Sequence, residues 1–264
     1  MNVREIMDIL ETLAPLEYAM SWDNPGLLAG RSDTQVSCIY LALDATETAI
    51  GAAQAAGAQM LITHHPMIFS PVKHINDEAF IGRRLLTLIE NHISYAAMHT
   101  NFDVAVMGTL AADILGLTEQ EPLQVTVPAD CVKKTPALGI GCAGRLAAPM
   151  TLKACAEFVK QAFEIPAVKI FGNPDAPVSR AAICPGSGKH MTEWALKRGC
   201  DVLITGDIDH HEGIDANSQG MLIVDAGHHG IEHIFADFMA DYLKKRLPGV
   251  RIEKEANCPP FTVI

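Results

Sequence analysis

The sequence has no excess of basic residues. It carries 20 Lys and Arg residues against 31 Asp and Glu residues, a formal net charge of −11 over 264 residues. A broad nucleic-acid-binding surface needs a stripe of positive charge. This balance argues against such a surface and favours a soluble protein that attracts cations.

The sequence also lacks the paired cysteines of a disulfide framework or a thiolate zinc site. Its seven cysteines are odd in number, and no CxxC motif occurs. This pattern predicts reduced, mostly buried thiols in a cytoplasmic protein. The first segment, "MNVREIMDILETL", is charged throughout and predicts no signal peptide, and no apolar run approaches the length of a membrane span.

Strands and helices alternate through the first half of the chain. An amphipathic helix is predicted over about residues 3–13, because apolar residues recur there at helical spacing. Further on, helices are predicted over "ATETAIGAAQAAG" and "EAFIGRRLLTLIEN", between the buried strands "CIYLALD", "AQMLIT" and "ISYAAMH". This alternation is typical of an α/β sheet with parallel pairs.

The second half repeats this order and predicts a second lobe. Its strands are "RAAICPG", "CDVLITGD" and "MLIVDAG", and its helices are "SGKHMTEWALKRG" and a C-terminal helix over about 229–247. The similarity of "AGAQMLITHH" to "RGCDVLITGD" suggests a degenerate duplication. We expect two related α/β lobes with largely parallel sheet elements, over 1–118 and 119–264. The region 119–180 is predicted to be less regular, apart from a helix near 151–163.

Potential metal ligands follow four of the predicted strands. In open α/β sheets, ligands bind beyond the carboxyl ends of parallel strands, so these side chains are expected to converge. They are His64 and His65; His99 and Asp103; Asp207, His210 and His211; and His228 with Glu232.

The stretch "DAGHHGIEH" allows a finer assignment. If a helix begins near His228, its apolar positions place His228 and Glu232 towards the sheet, at about 100° per residue. His229 and His233 then fall on the solvent side. Added to the pair His64 and His65, the residues Asp103, His228 and Glu232 give three histidines and two carboxylates. This set, which has no thiolate, suits zinc, iron, manganese or cobalt. Since one ion rarely uses five side chains, two ions are expected.

Other polar residues have simpler interpretations. Isolated histidines are usually structural, and we interpret His74, His92, His190 and His233 in this way. Asp44 is interpreted as the N-cap of the following helix, with support of a metal ligand as the alternative. "CPGSGKH" lacks the full phosphate-loop pattern and is interpreted as a turn with a weak anion-site option.

The chain resembles the Nif-three-like (YbgI-like) dinuclear-metal family, whose bacterial members are often labelled GTP cyclohydrolase 1 type 2 homologues. The resemblance covers nearly the whole chain, on "APLEYAMSWDNPGLLAG", "ITHHP", "MHTNFD", "GSG", "DVLITGDIDHHE", "AGHHGIEH" and "NCPPFTVI".

The resemblance implies two divalent ions in a cleft between two α/β lobes. It implies the metal ligands His64, His65, Asp103, His228 and Glu232, with the C-terminal helix returning to the shared site. It also implies that His99 and His211 line the site, that the protein forms a toroidal hexamer, and that no middle domain is inserted. His210 stands where an aromatic residue is common; it either reaches the metals or forms part of the wall.

Two functions are consistent with these residues. The first is a two-metal hydrolase, in which the ions activate water and His99 or His211 moves protons. Its small-molecule substrate would be a nucleotide, with GTP suggested by the family label alone. The alternative is a non-catalytic module that stores, delivers or senses divalent metal. A substrate pocket would discriminate between them, and the sequence shows no convincing purine-reading motif.

Overall fold

The computed structural model describes residues 1–263 as a mixed α/β protein with two sheets. Its strands, in chain order, are β1 Gly26–Ala29, β2 Cys38–Ala42, β3 Met60–Thr63, β4 Ser94–Ala97, β5 Thr118–Val127, β6 Leu138–Thr151, β7 Lys169–Phe171, β8 Pro177–Ser187, β9 Val202–Gly206, β10 Leu222–Asp225 and β11 Arg251–Lys254.

The helices are distributed along the whole chain. They are α1 Val3–Leu13, α2 Glu47–Ala55, α3 Phe80–Glu90, α4 Thr100–Phe102, α5 Gly108–Ile114, α6 Leu152–Ala162, α7 Thr192–Lys197, α8 His210–Ser218, α9 His228–Glu232 and α10 Ile234–Arg246. A 3₁₀ turn covers Leu16–Tyr18, and a π-helical turn covers Asp103–Met107.

The chain forms two units. The first contains Met1–Phe102 and Phe235–Cys258, and the second contains Asp103–Ile234 with the tail from Pro259. The expected division at 118/119 differs from this one. The reason is that the end of the chain completes the first unit. β11 pairs in parallel with β2, and the centroid of the Phe235 ring lies 5.0 Å from that of the Phe102 ring.

The sheet of the first unit has the order β1-β4-β3-β2-β11. All its pairs are parallel except β1 with β4. Every residue of β2, β3 and β4 is buried, as expected for parallel strands covered on both faces. Pairing of Ala42 with Thr63 and of Thr63 with Ala97 aligns the carboxyl ends of these strands.

Local sequence explains the first helix of this unit. Asn2 and Glu5 form a reciprocal capping box, and Val3, Ile6 and Leu10 supply the buried face. The helix matches the predicted residues 3–13. The predicted strand–helix–strand series from "CIYLALD" to "ISYAAMH" is likewise present as β2, α2, β3, α3 and β4.

The sheet of the second unit has the order β5-β6-β8-β9-β10-β7. Only β8, β9 and β10 run parallel to one another, and the remaining pairs are antiparallel. In this series β9 is the middle strand, as β3 is in the series β2, β3, β4 of the first unit. The two similar segments "MLIT" and "VLIT" therefore occupy corresponding positions.

The expectation of an irregular region over 119–180 is wrong. It contains most of β5 and all of β6, a long antiparallel pair. The sequence of β6 is rich in Gly and Ala, which weakens its strand signal. Gly139 is needed because a Cβ there would collide with the Gln124 carbonyl of β5.

Two predicted helices differ in extent. The helix predicted from Ser187 is only Thr192–Lys197, because Gly188 N–H bonds the Gly206 carbonyl (2.9 Å) and holds the preceding turn against β9. "CPGSGKH" forms the end of β8 and the turn that precedes α7. The predicted C-terminal helix is divided at His233 into α9 and α10.

No helix within residues 1–263 is both long and apolar enough to cross a membrane. Of the cysteines, Cys131 and Cys258 are exposed and the rest are buried, consistent with the predicted mostly buried thiols.

Candidate metal centre

His64 stands directly after β3 and is completely buried. Its Nδ1 lies 2.8 Å from the Met98 carbonyl, which follows β4. A carbonyl can only accept a hydrogen bond, so Nδ1 carries the proton of the neutral ring. The basic nitrogen is therefore Nε2, the arrangement typical of a metal-binding histidine.

His65 is held in the same way by a carboxylate. Its Nδ1 lies 2.9 Å from Asp44 Oδ1. The N-cap of α2 is Thr46, whose side chain accepts from Ala49 N–H. The interpretation of Asp44 as a helix cap was therefore wrong. Its carboxylate instead contacts His65, and the alternative, support of a metal ligand, stays a prediction.

Tyr95 holds the turn that carries His64 and His65 through hydrogen bonds to its backbone. The Tyr95 hydroxyl donates to the His65 carbonyl (3.0 Å) and accepts from Met67 N–H (2.8 Å). Thr63 Oγ1 donates to the same His65 carbonyl (2.7 Å). Burial raises the pKa of Tyr95 to about 12, so this hydroxyl remains a donor across the physiological range.

His99 is anchored by a residue that the sequence analysis did not identify. Its Nδ1 lies 2.8 Å from Asp23 Oδ1, and the Asp23 side chain is fully buried. Thr100 donates its N–H (3.0 Å) and hydroxyl (2.5 Å) to Asp23 Oδ2. Burial raises the pKa of Asp23, but the hydrogen bonds from His99 and Thr100 outweigh it and lower the pKa to about 2. No local pattern in "SWDNPG" points to this contact, which joins distant segments.

The three imidazoles of the first unit form one group. The centroid of the His64 ring lies 4.8 Å from that of His65 and 5.3 Å from that of His99. Each side chain offers a ligand nitrogen, and these nitrogens lie within 4.8 Å of one another. His99 is thus placed with the predicted ligands His64 and His65 and can itself bind a metal.

In the second unit, His228 begins α9 and its side chain lies between two carboxylates. Its Nδ1 is 2.7 Å from Asp207 Oδ2, and its Nε2 is 2.9 Å from Glu232 Oε2. Asp207 has a positive φ of 57°, a backbone conformation that favours glycine and often marks a functional residue. Glu232 is buried, whereas His228 is half-buried.

Gly186 leaves the space that the Glu232 side chain occupies. A Cβ on Gly186, in β8, would collide with Glu232 Oε1 and would lie 3.7 Å from His228 Nε2. Gly186 also has a φ of +78°. β8 therefore accommodates both side chains only because this position has no side chain of its own.

Asp103 opens the π-helical turn Asp103–Met107. Such turns are rare and frequently occur at functional sites. The charges of Asp103 and Glu232 both act on the Cys184 thiol, whose pKa is raised mainly by burial and further by these two carboxylates. The carboxylates predicted as ligands are thus near the same buried thiol of the second unit.

His229 and His233 were expected to face solvent, but both are half-buried. Their rings stack with centroids 6.0 Å apart, and His233 Nδ1 lies 3.1 Å from the Gly230 carbonyl. The helical break at His233 explains the difference, since the expectation assumed one continuous helix.

His210 and His211 lie in the first turn of α8, which was not predicted. Both are exposed and their rings contact each other, with centroids 5.2 Å apart. Asp209 caps this helix by accepting from Glu212 N–H. Among residues 1–263, no group of three metal-binding side chains within reach of one another includes His210 or His211. His74, His92 and His190 are exposed as well.

The donors fit first-row divalent metals. Imidazole nitrogens with Nδ1 held by an oxygen acceptor, together with carboxylates, are typical ligands of zinc, iron and manganese. Of the two predicted carboxylates, Glu232 is buried and Asp103 is half-buried. The clusters of histidine and glutamate side chains could therefore hold metal.

Comparison with known proteins identifies a family and several named relatives. The model of the Duf34/NIF3 (NGG1p interacting factor 3) family matches residues 1–258. A Clostridium acetobutylicum protein named GTP cyclohydrolase 1 type 2 homolog is 34% identical, over 98% of this chain and 94% of its own length. A Helicobacter pylori protein named GTP cyclohydrolase 1 type 2 is 33% identical, over 99% of both chains.

A solved structure shows the same fold. The crystal structure of a Staphylococcus aureus hypothetical protein superimposes with a TM-score of 0.90 and 27% identity, covering 100% of this chain and 99% of that one. Together with the match of the family model to residues 1–258, this shows that the chain belongs to the Duf34/NIF3 family.

Proposed function

We propose that this protein is a metal-dependent hydrolase that binds two divalent ions through His64, His65, Asp103, His228 and Glu232. The observation that carries the proposal is the common arrangement of its histidines. In His64, His65 and His228, Nδ1 is held by an oxygen acceptor at 2.7–2.9 Å. This arrangement presents Nε2 as a ligand and limits rotation of the ring.

Bound divalent ions supply Lewis-acid activation of water and of substrate oxygens. The chain's own residues orient the substrate and move protons. His99 is the better-supported proton carrier, because Asp23 has a pKa of about 2 and stays anionic while it holds the Nδ1 proton. Nε2 of His99 is then available to accept a proton and return it. His211 remains a predicted site residue, and its exposure favours contact with the distal part of a substrate.

The substrate we propose is a nucleotide. The relatives named GTP cyclohydrolase 1 type 2 and GTP cyclohydrolase 1 type 2 homolog support GTP as the first compound to test. We further propose a cytoplasmic homo-oligomer, a hexamer by family resemblance, without a nucleic-acid partner. The alternative function, storage, delivery or sensing of metal, uses the same ligands.

The test has two parts. Metal content of the purified protein is measured by elemental analysis for wild type, His65→Gln and His74→Gln. His65→Gln should lose most bound metal, whereas His74→Gln, which changes an exposed histidine, should not. Equal metal content in all three proteins would reject the site.

The second part follows activity. Wild type loaded with zinc, iron or manganese is incubated with GTP, and the products are separated by chromatography. Conversion that disappears on chelation supports the hydrolase. A fully metallated protein that leaves GTP and related nucleotides intact would reject it and favour the metal-handling alternative.

A further inference from the structure

Two aromatic side chains of the first unit are largely exposed, although both contact the same candidate-site histidine. Trp22 is 61% exposed and Phe69 is 53% exposed. Their ring centroids lie 6.0 Å and 5.7 Å from that of His99, at interplanar angles of 75° and 80°. Large aromatic surface is usually buried, so two exposed rings beside a group of metal-binding imidazoles need an explanation.

Hydrogen bonds hold the two segments that carry these rings in place. Trp22 precedes Asp23, whose buried carboxylate is bonded to His99 and Thr100. Thr100 Oγ1 also accepts from Met20 N–H (2.9 Å), two residues before Trp22. Asn24 Nδ2 donates to the Ile68 carbonyl (2.7 Å) and so joins the loop of Trp22 to the loop of Phe69. A surface fixed in this way loses little conformational entropy when a ligand binds.

We propose that Trp22 and Phe69 form a stacking surface for a planar heteroaromatic ring, and that they hold this ring of the substrate next to His99. The class of ligand follows from the chemistry of the surface. It offers two largely exposed aromatic rings, and stacking on aromatic side chains accepts any heterocyclic base. The inference rests on the proposed function, because His99 gives the surface its relation to the reacting atoms.

Binding can be followed through Trp22 itself. The sequence has two tryptophans, so Trp194→Phe leaves Trp22 as the sole indole. In this background, with metal content recorded, guanosine is titrated while tryptophan emission is measured, and ribose 5-phosphate serves as a ligand without an aromatic ring. We expect saturable quenching with guanosine and none with ribose 5-phosphate. Absence of quenching by guanosine, or equal quenching by both compounds, would overturn the proposal.

A matched pair of variants tests the second ring. Phe69→Ala should weaken guanosine binding by roughly 5- to 150-fold, the range given by base–aromatic stacking. Phe80→Ala is the control, because Phe80 is 54% exposed but is covered by the Arg84 guanidinium, 5.0 Å from the ring centroid. Phe80→Ala should bind guanosine as tightly as the Trp194→Phe protein does. An equal loss in both variants, or no loss in Phe69→Ala, would contradict the assignment.

A second copy of the chain is the competing occupant of this surface. Sedimentation of Trp22→Ala and wild type distinguishes the two cases: an unchanged mass supports a ligand surface, and dissociation would show that the rings cover another copy.

The outcomes of these experiments also separate this inference from the proposed function. Guanosine binding without conversion of GTP would reject only the hydrolase. Conversion of GTP that is unaffected by Phe69→Ala would reject only the stacking surface.

Discussion

At the scale of single residues, the candidate centre depends on acceptors that orient histidine rings. His64, His65, His99 and His228 each have Nδ1 within 2.9 Å of an oxygen, supplied by Met98, Asp44, Asp23 and Asp207 respectively. Three of these acceptors are carboxylates, which also increase the basicity of the opposite nitrogen. Their contributions to stability and to metal binding can be separated experimentally.

Asp23 should stabilise the folded protein in a pH-dependent way. Its pKa in the folded protein is about 2, against 3.8 for an aspartate without these contacts. A lowered pKa stabilises the fold above the unfolded value, and this stabilisation is lost as pH falls from about 4 towards 2. The shift corresponds to about 2 kcal/mol at neutral pH. Asp23→Asn should therefore lower the free energy of unfolding of the metal-free protein by about that amount at pH 7.

The measurement is urea unfolding of wild type and Asp23→Asn between pH 7 and pH 3. The difference in free energy of unfolding should narrow at pH 3, because the Asp23 carboxylate of the unfolded wild type is then largely protonated while that of the folded protein is still ionised. Asp8→Asn, which alters an exposed carboxylate on α1, serves as the control and should change little. A difference between wild type and Asp23→Asn that is independent of pH would contradict the lowered pKa.

Glu232 and His233 are adjacent but should respond differently to amide substitution. Glu232 is buried and its Oε2 lies 2.9 Å from His228 Nε2. Glu232→Gln replaces the carboxylate of a proposed ligand by a neutral amide and should remove most bound metal. His233 instead bonds the Gly230 carbonyl, so His233→Gln should leave metal content nearly unchanged. Elemental analysis measures the metal content of both variants. Equal losses of metal would refute the assignment of Glu232 as a ligand and of His233 as a structural residue.

At the scale of elements, strand β8 lies so close to Glu232 that position 186 has no room for a side chain. Gly186→Ala should displace the Glu232 carboxylate and reduce metal content, in addition to the strain of its positive φ of 78°. Gly199→Ala is a matched control, since Gly199 has a φ of +65° but no atom within 4 Å of the added Cβ. It should lose about 1 kcal/mol from backbone strain alone and keep its metal.

Both glycine variants are compared by urea unfolding and elemental analysis. Gly186→Ala should be the less stable, because the collision adds to a similar backbone strain. If both variants retained metal equally, the proposed role of Gly186 would be wrong.

Elements with a strong local pattern were predicted from the sequence, and those defined by distant partners were not. α1 has a capping box and an apolar face, and β3 is wholly buried, so each has a local signal. β6 has little strand propensity and is stabilised by pairing with β5 and β8. α8 has a weak amphipathic pattern, and its start depends on the Asp209 cap.

The same distinction applies to the site. The predicted strand ends carry His64, His65 and His99, because parallel register brings these ends together. The role of Asp23 could not be predicted, since its bond to His99 crosses 76 residues of sequence. The break at His233 was also missed, and it altered the expected exposure of His229 and His233.

At the scale of the whole molecule, the first unit is assembled from both ends of the chain. Phe235, Met239 and Leu243 of α10 are completely buried. The Phe235 ring lies 5.2 Å from the His64 ring, and Glu255, after β11, accepts from the Leu43 N–H. These contacts link the predicted ligand turn to residues that are more than 150 positions away.

A fragment containing only residues 1–118 should therefore fail to fold cooperatively. It lacks α10 and β11, which leaves an edge of β2 without its partner and the apolar surface around Phe102 exposed. Joining residues 1–102 to 235–258 through a short glycine–serine linker should restore cooperative unfolding, because the Phe102 and Phe235 rings lie 5.0 Å apart. Circular dichroism during urea titration distinguishes the two fragments. Cooperative unfolding of residues 1–118 alone, or none in the joined fragment, would show that the first unit is not completed by the end of the chain.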